Sequence, residues 1–244
     1  MKSLVIIPSR LSSERLPNKP LMKINGKSMI VHTLEKVLAS GLKPVVVATD
    51  SKDIFDEVAT VAEAQAIMTS SGHTCGTERV LEAYENLKPE LGDFDLIINV
   101  QGDEPFINPE MLSDLVLELE KRQNISSFWT TICEIPAHEM ADQNVAKVVI
   151  NLKGNALVFT RDPISNAYKH TSIYIYTPDF LRKFCSLPQS PLESAYRLEQ
   201  MRALDHNLTL NCILLPYDSV SINTKEDLEK AGITDYQYYY PPEN

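Results

Sequence analysis

Three cationic side chains, Arg10, Arg15 and Lys19, lie within ten residues of one another, directly after the short apolar run SLVIIP at 3–8. Arg presents a planar fork that grips two phosphate oxygens and Lys a compact point charge, so the segment is a candidate polyanion site. A second candidate is Asp103 in NVQGDEP at 99–105, which follows an otherwise apolar strand. One carboxylate there suits Mg²⁺, a hard cation that takes few protein oxygens and completes its shell with water and substrate phosphates. The alternative is a plain turn in which Asp103 or Glu104 caps the following helix. The third segment, SGHTCGTERV at 71–80, combines small residues with a turn, so a flat base could come close and Arg79 could reach its carbonyl or a phosphate. Helix capping is the competing reading of that segment. With eight glycines and neither a G-x-x-x-x-G-K-[ST] loop nor a G-x-G-x-x-G turn, phosphates would be held by cationic side chains more than by a glycine nest.

The elements that must position these residues follow from periodicity. The β-branched run at 3–8 reads as a buried strand, and SMIVHTLEKVLASG from Ser28 carries a helical apolar stripe with Ser28 as N-cap and Gly41 as terminator. PVVVAT at 44–49 is a second strand, followed by a polar helix from Ser51, a short strand near Ala66–Met68, a helix over about 77–88 and the strand DLIINV at 95–100. Asn108 and Pro109 then start a helix that puts Leu112, Leu115, Val116 and Leu119 on one face. Such alternation predicts an α/β fold, a mostly parallel sheet with helices on both faces, and ligands gather beyond the carboxyl ends of its strands. From Gln123 onward the strands SSFWTTICEI, VAKVVINL, ALVFTR and TSIYIYT follow more closely, with a hairpin at Gly154 and Asn155, which predicts an inserted antiparallel region over about 125–180. LESAYRLEQMRAL reads as a helix, TLNCILL as a strand, and Thr224 opens a last helix with Asp227 placed to cap it. The tail at about 235–244 has no apolar period and is expected to be loosely held. No repeat or linker divides 1–244, so one domain is expected.

Composition narrows the class of partner. A net charge of -10 with pI near 5.0 argues against a nucleic-acid-binding surface, so any phosphate must meet a local concentration of Lys and Arg. No stretch approaches the roughly 20 apolar residues of a membrane helix, and the first residues turn polar too early for a secretory signal, which points to the cytoplasm. Cys75, Cys133, Cys185 and Cys212 are far apart, without zinc-ligand spacing, and read as reduced, mostly buried thiols.

Taken together, these segments resemble the 3-deoxy-manno-octulosonate cytidylyltransferase family, which makes the CMP-activated sugar acid used in bacterial lipopolysaccharide. The resemblance runs in order through IIPSRLSSERLPNKPL at 6–21, INGKSMIVH at 24–32, VATD at 47–50, CGTERV at 75–80 and INVQGDEPFI at 98–107. It continues through VAKVV at 145–149, ALVFTRDPI at 156–164, KHTSIYIY at 169–176, PLESAYRLEQMRAL at 191–204 and INTKEDLEKA at 222–231. It implies a nucleotidyltransferase-type, Rossmann-like sheet, and that Arg10, Arg15 and Lys19 hold the CTP triphosphate, Gly76, Thr77 and Arg79 lie by the cytidine, and Asp103 holds Mg²⁺. Gln101, Arg161, His170 and Glu199 would surround the sugar acid, and the antiparallel region would pair two copies as a homodimer. Taken alone, His170 reads as a packed core histidine. The implied reaction is in-line attack of the anomeric hydroxyl on the α-phosphorus of CTP with release of pyrophosphate, driven by positioning and charge stabilisation, with Arg10, Lys19 and Asp103 as the catalytic groups.

The chain departs from the family pattern at a few places. Asn223 stands where the family has its second metal carboxylate, Tyr196 where it has Glu and Ser172 where it has Gly, and the stretch between Ile164 and Tyr168 is short. These departures leave open a different acidic acceptor, a modified ulosonic acid or a phosphonate, or a CTP-binding homologue with impaired catalysis. An Asp-x-Asp glycosyltransferase is disfavoured by Gln-Gly-Asp-Glu-Pro at 101–105.

Overall fold

The computed structural model describes residues 1–13, 15–122 and 128–241. Its first half alternates as the periodicity predicts: β1 (Ser3–Ser9), the small pair β2 (Lys23–Ile24) and β3 (Lys27–Ser28), α1 (Met29–Ala39), β4 (Val45–Thr49), α2 (Lys52–Val58), β5 (Gln65–Met68), α3 (Gly76–Leu91) and β6 (Leu96–Val100). The second half comprises α4 (Pro109–Glu120), β7 (Phe128–Glu134), β8 (Lys147–Ile150), β9 (Ala156–Thr160), β10 (Tyr168–Tyr176), α5 (Pro178–Ser186), α6 (Pro191–Tyr196), α7 (Met201–Asp205), β11 (Asn211–Leu214), α8 (Lys225–Lys230) and β12 (Tyr236–Gln237). The beginning of the expected strand at Ser126 and Ser127, and the last three residues of the tail, lie outside the described residues.

Among the described residues, nine strands share one sheet with main order β11-β7-β10-β6-β1-β4-β5, and β8 lies beside β10 and β9 beside β8. The β6, β1, β4 and β5 strands are parallel, while β10 runs antiparallel between β6 and β7. Strand alternation feeds two cores. Leu4, Ile6, Val46 and Ala48 pack with Val80 and Tyr84 of α3 and with Phe180 and Phe184 of α5. Val5, Ile7, Val45 and Val47 pack with Ile30 and Leu34 of α1, Ile54 of α2, and Leu112 and Leu115 of α4. Helices thus cover both faces, and every loop after a parallel strand opens on one edge of the sheet.

Side-chain caps stand at three of the expected helix starts. Ser51 accepts from the Ile54 amide, Asn108 from the Glu110 amide, and Thr224 with Asp227 forms a reciprocal capping box on α8. Ser28 occupies the N-cap position of α1 but makes no side-chain cap bond. The α3 helix runs past residue 88, through Pro89, to Leu91.

Two expectations are corrected. LESAYRLEQMRAL is not one helix: α6 ends at Tyr196, Arg197 takes a left-handed backbone at φ 53, and α7 begins only at Met201. The break lets Leu198, Gln200, Met201 and Arg202 all turn inward, which one continuous amphipathic helix could not do. The tail, expected to be loose, pairs instead as β12 with β2, with Tyr236 opposite Ile24 and Gln237 opposite Lys23.

One strained position follows from sheet geometry. Along β10, residues 168 and 169 pair with β8, residues 173–176 with β6, and the pairing with β7 shifts register between His170 and Tyr174. Ser172 sits at that shift with φ 56, the conformation glycine adopts at no steric cost. Ser172→Gly is expected to stabilise the protein by up to about 1 kcal/mol, because relief of left-handed strain exceeds the added unfolded-chain entropy. The check is a higher urea midpoint at unchanged m-value; a lower midpoint would count against the strain.

Candidate active site

The segment after β1 curls back across the carboxyl ends of the strands, and Lys19 is its innermost cation. Its Nζ donates to Asp103 Oδ2 at 2.8 Å and to Asn223 Oδ1 at 3.0 Å. Arg15 Nη2 donates to the same Asn223 oxygen at 3.1 Å. Arg10 is exposed just beyond the end of β1. The basic segment, the β6 loop and the segment before α8 therefore converge on one point, although Lys19 is 84 positions from Asp103 and 204 from Asn223.

Close packing of backbone sets Asp103. A Cβ on Gly102 would stand 3.0 Å from the Pro8 carbonyl oxygen, so glycine is required for the β6 loop to lie against the end of β1. Thr33 on α1 donates to the Gly102 carbonyl at 3.2 Å, and the Ile222 amide donates to the Asp103 carbonyl at 3.0 Å. Glu104 is 1% exposed and accepts from the hydroxyls of Ser219 and Ser221. Burial, with the charge of Asp103 second, pushes its carboxyl up to about 7. The pair Glu104 with Ser219 and Ser221 fastens the segment carrying Asn223 beside Asp103.

The base loop opens α3. Gly76 lies against Gln101 and Pro8, where a Cβ would meet both at 3.4 Å. The Thr77 hydroxyl donates to Glu199 Oε1 at 2.8 Å and shares a 2.8 Å bond with the Tyr176 hydroxyl, while its amide donates to Glu199 Oε2 at 3.3 Å. Burial raises the Glu199 carboxyl above its ordinary value. Arg79 is 3% exposed, with Nη1 on Thr69 Oγ1 at 2.6 Å and Nη2 on Asp50 Oδ2 at 2.8 Å. It thereby braces the ends of β5 and β4 beneath the loop.

On the antiparallel side, Gln101 Nε2 donates to Asn99 Oδ1 at 3.0 Å. Arg161 Nη1 donates to the carbonyls of Asn144 at 2.9 Å and Gln143 at 3.2 Å. Burial and then the charge of Arg15 lower its proton affinity, and its own charge acts in turn on His170. His170 is 5% exposed, between Phe159 and Tyr174. The Thr130 hydroxyl has one hydrogen, donated to the Ile173 carbonyl at 2.7 Å, so the 2.8 Å bond with His170 requires that Nε2 be the donor. Burial, then Arg161, push the imidazole down to about 3, so it is neutral at physiological pH and leaves a buried, unpartnered lone pair on Nδ1.

Several positioning groups were not foreseen from sequence. Arg202, 1% exposed, grips both oxygens of Glu193 at 2.8 Å and reaches Glu78 at 3.3 Å, tying α7 to α6 and to the first turn of α3. Lys169, 6% exposed, bridges Glu139 at 2.7 Å and Asp218 at 2.6 Å. Charged residues read as solvated faces until their partners are known; Glu78, Glu139 and Asp218 are distant in the chain, and Glu193 lies across the break at Arg197. The break at Arg197 has no local signal at all.

A divalent cation at this site would meet the oxygens of Asp103 and Asn223, which already converge on one ammonium. Among the described residues no group of three or more His, Cys, Asp or Glu side chains is arranged to hold a metal. The donor set therefore fits an ion such as Mg²⁺ that shares its shell with substrate phosphates, and does not form a cage of its own.

A model of the cytidylyltransferase family matches residues 4–210. The chain is 39% identical over 238 residues to the 3-deoxy-manno-octulosonate cytidylyltransferase of Paramagnetospirillum magneticum, covering 93% of this chain and 95% of that one. It is 39% identical over 241 residues to the protein of that name from Brucella canis, covering 95% and 94%. Among solved structures, a CMP:2-keto-3-deoxy-manno-octonic acid synthetase complexed with CTP superposes with TM-score 0.83 at 34% identity, covering 95% of this chain and 97% of that one. A putative glucose-1-phosphate thymidylyltransferase from Bacillus anthracis, at 14% identity, TM-score 0.64 and coverage of 94% and 93%, shares the fold.

Proposed function

The chain belongs to the cytidylyltransferase family, and on that premise we propose that it transfers CMP from CTP to the anomeric hydroxyl of 3-deoxy-manno-octulosonate, releasing pyrophosphate, for lipopolysaccharide synthesis. The observation that carries this reading is Lys19 held between Asp103 and Asn223 at the carboxyl ends of the strands, with Arg15 on the same amide oxygen. Arg10, Arg15 and Lys19 bind the triphosphate, and Lys19 stabilises negative charge as the α–β phosphate bond breaks. Gly76 and Thr77 lie by the cytidine, and Arg79 holds the strand ends that carry them. Arg161 attracts the carboxylate of the sugar acid, and Gln101, His170 and Glu199 complete the acceptor side. Asp103 and Asn223 hold Mg²⁺, which when bound supplies charge neutralisation on the phosphates. Catalysis rests on alignment and electrostatics, and no covalent enzyme intermediate is required.

Two further features belong to this reading. Leu152, Leu157 and Leu214 are exposed on the β8–β9 hairpin and on β11, and we assign that face to a homodimer contact. The reaction is assigned to the cytoplasm as the compartment of its nucleotide substrate.

The test is pyrophosphate release with CTP and each other nucleoside triphosphate against a panel of ulosonic acids and phosphonates. Turnover is expected with CTP and the octulosonate; conversion of a phosphonate or modified acid alone would reassign the acceptor. Asn223→Asp is expected to lower the Mg²⁺ concentration for half-maximal rate by about tenfold, since a carboxylate holds a hard cation better than an amide. CTP binding by the wild type without turnover at any Mg²⁺ or Mn²⁺ concentration, with no rescue by Asn223→Asp, would make this a binding protein.

A further inference from the structure

The conformation of the basic segment is decided partly by the far end of the chain. Asn18, immediately before Lys19, has φ 52 and ψ 32, a left-handed backbone that sets the direction in which Lys19 leaves the loop. Its side chain does not cap the short 3-10 turn Lys19–Leu21 that follows. Instead Asn18 Nδ2 donates to the carbonyl oxygen of Tyr239 at 3.0 Å, across 221 positions. The carboxy-terminal segment is itself fastened. The Asn25 amide donates to the Asp235 carbonyl at 3.0 Å, β12 pairs with β2, and the Tyr239 ring packs against the core that includes α1 and α2.

A small apolar cluster joins the same three parts. Leu16 and Met22, on either side of Lys19, pack with Ile222, the neighbour of Asn223, and with Leu228, Ile233 and Tyr236. The segment carrying Lys19, the segment carrying Asn223 and the carboxy-terminal strand therefore share one apolar cluster.

We propose that residues 233–240 act as a strap that positions the triphosphate site, with Asn18 as the positioning residue through which the strap orients Lys19. Asn tolerates the left-handed region but does not require it, so the bond to a fixed carbonyl selects that state before the nucleotide arrives. A loop ordered in advance loses less freedom on binding, and the gain appears as affinity for the anion. The proposal rests on the reading of this site as one for a nucleotide triphosphate.

The experiment uses the full-length chain with Asn18→Gly, Tyr239→Ala and the double variant. Gly permits the left-handed backbone without holding it there and removes the donor; Ala at 239 frees the strap from the core. Calorimetric Kd for CTP and steady-state KM and kcat are measured, with thermal melts as a check of folding. Each single variant is expected to raise the Kd and KM for CTP about tenfold, with kcat within about twofold and KM for the acceptor unchanged. The double variant is expected to be no weaker than the weaker single one, because both changes cut one connection. An unchanged CTP Kd in Asn18→Gly, additive effects in the double variant, or an equal rise in acceptor KM would each overturn the strap. Failure of the wild type to bind CTP would instead overturn the nucleotide reading itself. If Tyr239→Ala does not fold, Asn18→Gly alone decides.

Discussion

Asp103→Asn is expected to reduce kcat by about 10³-fold, at the upper end of what one electrostatic group contributes in a preorganised site, while leaving the fold intact. In the wild type Asp103 is the carboxylate on which Lys19 closes, and Asn223 supplies only a neutral oxygen beside it. Replacing the acid by its amide leaves two amides facing Lys19, with no anionic ligand for a hard cation. Stability changes little, because the Lys19–Asp103 pair is partly solvent-exposed, with side chains 13% and 25% accessible, and such pairs contribute about 1 kcal/mol or less. The backbone bonds that fix the loop, Thr33 to the Gly102 carbonyl and the Ile222 amide to the Asp103 carbonyl, do not involve the carboxylate. The measurement is pyrophosphate release at saturating CTP, with a thermal melt and circular dichroism alongside. A kcat within tenfold of wild type would remove Asp103 from the reaction centre.

Arg202→Met is expected to destabilise the protein by about 3–5 kcal/mol, the usual result of stripping the partner from a buried carboxylate. The Arg202 and Glu193 side chains are 1% and 5% exposed, and their fork-to-fork contact at 2.8 Å is the main tie between α6 and α7. Those helices have six and five residues, too short to persist without tertiary support. The guanidinium also lies over the Phe184 ring at 5.0 Å and reaches Glu78 at the start of α3. Its loss therefore loosens the connection that presents Glu199 to Thr77, so activity at a temperature where the variant is still folded should fall as well. Chemical denaturation gives the stability change. The double variant Arg202→Met with Glu193→Leu should recover most of it, because no unpaired charge is then buried; a single-variant loss below about 1 kcal/mol would show the pair to be dispensable.

Much of the fold was legible because its causes are local. Apolar β-branched runs at 3–8, 44–49 and 95–100 dictate buried parallel strands, helical stripes dictate the helices between them, and Asn108 and Thr224 mark helix starts by side-chain chemistry that acts over two or three residues. The candidate site was legible to the same depth. Cations directly after one apolar strand and a carboxylate directly after another must face the same edge of a parallel sheet, whatever the intervening chain does.

Which oxygen meets which nitrogen was a different matter. Lys19, Asp103 and Asn223 meet only because three loops cross one edge, and the distances among them depend on Gly102 lying against Pro8 and on Glu104 gripping Ser219 and Ser221. Arg79 looked able to reach a ligand and is instead spent on Asp50 and Thr69. The break at Arg197 and the docking of the tail through Asn18 and Tyr239 have one cause in common. Neither residue type prefers the outcome, and the free energy that selects it comes from burying Arg202, Met201 and Ile233 against parts of the chain far away in sequence. Local patterning sets the order of strands and helices and the kinds of group at the sheet's carboxyl edge. Their pairing arises in the folded chain, because long-range packing selects among side-chain partners that local preferences leave equivalent.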